Sequence, residues 1–71
     1  MTEAQFNEIN VDQKFKQGDM FPGIGGEEIV WKCKAIAKNV RRFRCSWIGV
    51  YLATYDISFV NGNMQYTELK L

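Results

Sequence analysis

Between Lys32 and Arg44 the chain carries six cations, Lys32, Lys34, Lys38, Arg41, Arg42 and Arg44, with no acid among them. Lysine and arginine at this density bind oxyanions: the phosphates of a nucleic-acid backbone, or the carboxylates of an acidic protein surface. The net charge of the whole chain is only +1, because Glu3, Glu8, Asp12, Asp19, Glu27 and Glu28 crowd the first thirty residues. A basic segment inside a near-neutral chain differs from the uniformly basic domains that coat nucleic acid. Either the cations face solvent for a ligand, or the acidic segment covers and balances them.

The remaining reactive groups are sparse. Without histidine, the commonest general acid/base and the commonest metal ligand are both missing. Glu27 and Glu28 are adjacent and would point to opposite faces of a strand, so they cannot act on one atom. Cys33 and Cys45 are too few for a disulfide framework, and their spacing fits no zinc motif. Placed in an apolar alternation, they read as reduced core thiols. Gly23-Ile24-Gly25-Gly26 lacks the following helix that a phosphate loop requires, and reads as turn. The expectation is a protein that is not an enzyme and has no cofactor or metal.

The elements that must hold the cations are strands. Trp31, Cys33, Ala35 and Ala37 alternate with Lys32 and Lys34, and Phe43, Cys45 and Trp47 alternate with Arg42, Arg44 and Ser46. Period two means one dry face and one basic face. For both apolar sets to share a face, odd residues must meet odd ones, and a three-residue loop, Lys38-Asn39-Val40, is the simplest solution. That register pairs Ala37 with Arg41, Ala35 with Phe43, Cys33 with Cys45 and Trp31 with Trp47. It also sets Lys34 against Arg44 on the outer face, a like-charge pair that costs stability unless something else requires it.

A second hairpin is signalled more strongly. Asn61-Gly62 between two alternating runs is the type I′ dipeptide, and pairs Val60 with Asn63, Phe59 with Met64 and Ile57 with Tyr66. The stretch from Ile48 to Thr54 reads as a continuation of the preceding strand with a bend at Gly49. Leu69 and Leu71 would close the sheet if a bulge intervened near Thr67. At the start, Thr2 and Gln5 have the spacing of a capping box, with Phe6 and Ile9 on one face of a short helix over roughly residues 3 to 9. Gly18-Asp19, Pro22-Gly23 and Gly25-Gly26 mark an irregular path anchored by Phe15, Met20, Phe21 and Ile24.

At 71 residues the chain is expected to form one domain, residues 1–71. The expected fold is mainly β: a small antiparallel barrel of the SH3-like kind, or a strongly curled sheet of four to five strands, with a short N-terminal helix. A helix packed on a four-stranded sheet is the alternative. The order Gly18-Asp19, Gly25-Gly26, Cys45-x-Trp47 and Thr67-Glu68-Leu69 is loosely similar to the small bacterial YodC-like proteins, which implies a barrel and nothing about activity. With no apolar run long enough for a membrane span and no basic-then-apolar leader after Met1, a cytoplasmic chain with no membrane partner is expected. The expected function is a binding module whose 32–44 hairpin contacts nucleic-acid phosphates. The alternative is a small accessory or inhibitor protein, of phage or mobile-element type, that binds an acidic protein surface or self-associates weakly into a homo-oligomer.

Overall fold

The computed structural model describes residues 1–20 and 28–70. The turn signals at Pro22-Gly23 and Gly25-Gly26, the anchors Phe21 and Ile24, and Leu71 lie outside the described residues. Element order is α1 (Glu3–Asn7), β1 (Lys14–Lys16), α2 (Gln17–Met20), β2 (Ile29–Ala37), β3 (Val40–Trp47), β4 (Val50–Val60) and β5 (Asn63–Leu69). The strands form one antiparallel sheet in the order β1-β2-β3-β4-β5. The fold is mainly β, with five strands and an N-terminal helix. It is not a barrel: β1 and β5 stay at opposite edges, and the inner face of the sheet is covered by helices rather than by closure on itself.

That cover is specified locally. Thr2 Oγ1 accepts from the Gln5 amide at 3.1 Å and Gln5 Oε1 accepts from the Thr2 amide at 2.8 Å, so both halves of the capping box are made. The helix turns Phe6 onto the sheet, where its ring lies 5.1 Å from that of Phe59. In α2, which forms where the Gly18-Asp19 pair suggested a turn, Gln17 and Met20 are buried. Trp31 Nε1 donates to Gln17 Oε1 at 2.6 Å, and the Tyr66 hydroxyl donates to the Met20 carbonyl. Phe6, Ile9 and Met20 thus meet Trp31, Cys33, Phe43, Cys45 and Ile57 in a single core.

The β4–β5 hairpin has the expected register throughout, with Asn61 at φ 53° and Gly62 at φ 80°. No bulge occurs near Thr67, so Leu69 pairs with Thr54 and does not close the sheet. The β2–β3 hairpin differs from expectation. Its loop has two residues, Lys38-Asn39, with Ala37 opposite Val40, and the ladder slips between Cys33 and Ala35, leaving Lys34 as the extra residue of a bulge. The bulge restores the odd-to-odd match that the apolar sets demand, but two residues out of the expected register. Trp31 faces Cys45, Cys33 faces Phe43 and Ile29 faces Trp47. Ahead of the bulge the faces are exchanged, and Ile36 and Arg41 share the inner side.

Residues 47–52 do not continue one strand. Ile48 and Gly49, at φ 45° and 77°, form a tight turn from β3 into β4. A second slip between Cys45 and Ser46 leaves Leu52 extra and sets Ser46 against Tyr51. Trp47, expected inside, is 47% exposed, at the tip of the sheet where Ile48, Val50, Tyr51 and Leu52 are exposed as well. Phe43 and both thiols are buried as expected.

Candidate functional site

The outer face of the sheet is where register brings cations together. Lys14 on β1 opposes Lys32 on β2, and Lys32 opposes Arg44 on β3. Neighbouring strands lie about 5 Å apart, so three like charges stand in one row across about 10 Å. They line a shallow depression of about 340 Å³ with Val30, Ser46 and Gly49. Asp12, left-handed at φ 72°, comes within 3.6 Å of Lys32. Among the described residues neither Lys14 nor Arg44 makes an ion pair. Like charges opposed on a ladder cost roughly 0.2 to 1 kcal/mol each, and this row has two such contacts.

Tyr51 completes the row. Opposite Ser46, it lies on the same face as Arg44, whose guanidinium carbon sits 5.3 Å from the ring centroid. Its hydroxyl is 2.9 Å from Thr54 Oγ1, and 42% of the residue remains exposed. The ring is held from two sides before any ligand arrives.

The six cations of the 32–44 segment are dispersed. Lys32 and Arg44 belong to the row. Lys34 sits in the bulge and Lys38 in the loop at the far end of the hairpin, both exposed. Arg42 is committed to Asp56, Nε to Oδ1 at 2.9 Å and Nη2 to Oδ2 at 3.3 Å, a pairing that raises its pKa further. Arg41, part of the contact surface expected from the sequence, is buried: it donates to the carbonyls of Lys38 (3.1 Å) and Asn7 (3.2 Å), and its guanidinium lies 5.2 Å from the Phe6 centroid. By parity Arg41 shares a face with Phe43 and Cys45, and that signal was present in the sequence. Lys14 was missed, since it lies in an acidic stretch and only the β1–β2 register carries it to the row.

The thiols of Cys33 and Cys45 are free, and burial pushes both pKa values up, which suppresses the thiolate. No helix of the described residues is long and apolar enough to cross a membrane.

Comparison with protein-family models, curated proteins and solved structures finds no match. The likeness to YodC-like proteins therefore remains a likeness of spaced residues, and function has to be argued from the site.

One further feature borders the row. Trp47, Ile48, Val50, Tyr51 and Leu52 are all exposed, so the β3–β4 turn carries an apolar tip. Ile48 adopts there the left-handed conformation that Asn61 adopts in the other hairpin, although a β-branched residue is the poorest choice for it. The strain costs about 1 to 2 kcal/mol. Ile48→Asn is expected to raise stability by about 1 kcal/mol in urea titrations, and an unchanged or lower midpoint would show that the side chain, 63% exposed, is held by contacts that offset the strain.

Proposed function

We propose that the protein is a non-catalytic binding module that engages nucleic-acid phosphates through Lys14, Lys32 and Arg44. The observation that carries this reading is the like-charge row itself, assembled by register from three strands, with an ion pair at only its middle member among the described residues. Repulsion within it is relieved when an oxyanion spans the side chains, so the unliganded sheet is the less favourable state of the site. The proposal narrows the contact surface from the 32–44 hairpin to part of it plus β1.

The number of cations fixes the expected salt dependence. Three phosphate contacts give a slope of log K against log salt of about −2 on single strands and about −3 on duplex, whereas six would give about −4 to −5. Fluorescence anisotropy with labelled oligonucleotides over a range of salt measures this. Lys32→Glu with Arg44→Glu should abolish binding and leave the fold intact, since both side chains project from the outer face. Failure of any oligonucleotide to bind at low salt removes the reading.

The apolar tip supports a second one. Trp47, Ile48, Val50 and Leu52, exposed together at the β3–β4 turn, have the composition of the apolar centre of a protein interface, and would fit a partner that buries this tip in an apolar cleft.

A further inference from the structure

Tyr51 gives the phosphate row a means of distinguishing one strand from two. Of the aromatic side chains, Phe6, Phe43 and Trp31 are buried, while Phe15, Tyr55, Phe59 and Tyr66 pack against the core from the inner face. Trp47 is exposed, but parity puts it on the inner side of the sheet, away from the cations. Tyr51 alone among these lies on the outer face within the row. Its ring is braced by Arg44 on one side and by Thr54 at the hydroxyl, so little rotamer freedom is lost when a planar group packs on it.

Resting on the phosphate reading above, we propose that the site selects single-stranded nucleic acid, with one base stacked on Tyr51 while the backbone lies along Arg44, Lys32 and Lys14. Base-on-aromatic stacking is favourable for any base, and Arg44 adds its own positive charge to the same stack. A duplex cannot use Tyr51. Its bases already stack on one another, and unstacking one costs a few kcal/mol. The residue also stands on a sheet face, where it cannot reach between base pairs. The duplex therefore keeps the phosphate contacts and gains nothing more.

The experiment compares wild-type protein, Tyr51→Ala and Tyr51→Phe on three probes at one low salt concentration: a short oligothymidylate, its abasic counterpart and a duplex of equal length. Stacking of one base predicts that Tyr51→Ala loses about tenfold to a hundredfold affinity for oligothymidylate and none for duplex. Tyr51→Phe, which keeps the ring, should retain most of the affinity. Wild-type protein should bind the abasic strand about as weakly as Tyr51→Ala binds oligothymidylate. Thermal melts of both variants confirm that an exposed residue has been changed without unfolding.

Two results overturn the inference and leave the phosphate row standing: equal, salt-sensitive binding of all three probes by wild type and Tyr51→Ala, or a loss in folded Tyr51→Phe as large as that in Tyr51→Ala. Absence of binding to every probe overturns both.

Discussion

Phe43→Ala is expected to cost about 3 to 5 kcal/mol, and Trp47→Ala, two turns of the same alternation further along β3, almost nothing. Both residues lie on the inner face, and the sequence gives no reason to rank them differently. Phe43 is fully buried between β2 and β4, with the Phe15 ring 6.0 Å away at 72°. Removing it leaves a cavity that small neighbours such as Cys33 cannot fill by moving. A domain of this length has roughly 4 to 10 kcal/mol in total, so the variant should lose between about a third and all of its stability. Trp47 is exposed at the β3–β4 tip, and surface substitutions usually stay within about 0.5 kcal/mol. Urea titrations followed by far-UV circular dichroism decide the ranking. Comparable losses for both residues would mean that Trp47 is covered after all, and would remove the apolar tip on which the second functional reading rests.

Why the two differ shows what a single sequence can convey. Alternation is local, and it placed Phe43, Cys45, Cys33 and Trp31 on the buried face correctly. The second hairpin was fully legible, because Asn61-Gly62 fixes turn type, loop length and register together. In the first hairpin the extra residue was assigned to the loop, whereas it sits at Lys34. Both solutions satisfy the same parity, and nothing in Lys34-Ala35-Ile36-Ala37 separates them except that Ile36, the largest apolar residue there, is out of phase with Trp31 and Cys33. That phase change is the bulge. Trp31 therefore does not face Trp47, nor Cys33 Cys45.

Barrel closure was illegible for another reason. It depends on whether the first and last strands pair, a non-local contact that alternation does not report; β1 pairs with β2 and β5 with β4, at opposite edges of the sheet. The inner face was then left for α1 and α2, whose docking is tertiary. The candidate site was half legible: the basic run marked Lys32 and Arg44, but density of charge along the chain does not say which cations become neighbours. Register brought Lys14 in, Asp56 took Arg42 out, and the fold buried Arg41.

Arg41 supplies the sharpest separation between charge as surface and charge as structure. Arg41→Ala is expected to destabilise by about 3 kcal/mol, since it removes two hydrogen bonds from a charged donor, each worth roughly 1.5 to 3 kcal/mol with partial hydration of the freed carbonyls, and a cation over the Phe6 ring. Those contacts link the β2–β3 loop to the C-terminal end of α1, so the helix should loosen first, detected as early amide exchange around Phe6 and Ile9. The guanidinium is not fully satisfied: its Nε is buried without a hydrogen-bond partner in the described structure. Arg41→Met, which keeps the apolar stem on Phe6 and drops that orphan, should therefore recover part of the loss. Arg42→Ala, one residue on, breaks an exposed pair with Asp56 and should leave stability unchanged within error, because exposed ion pairs are screened by water and salt. If the two alanine variants prove equally stable and equally impaired in oligonucleotide binding, Arg41 belongs to the contact surface, and its burial beneath α1 is not the state that meets the ligand.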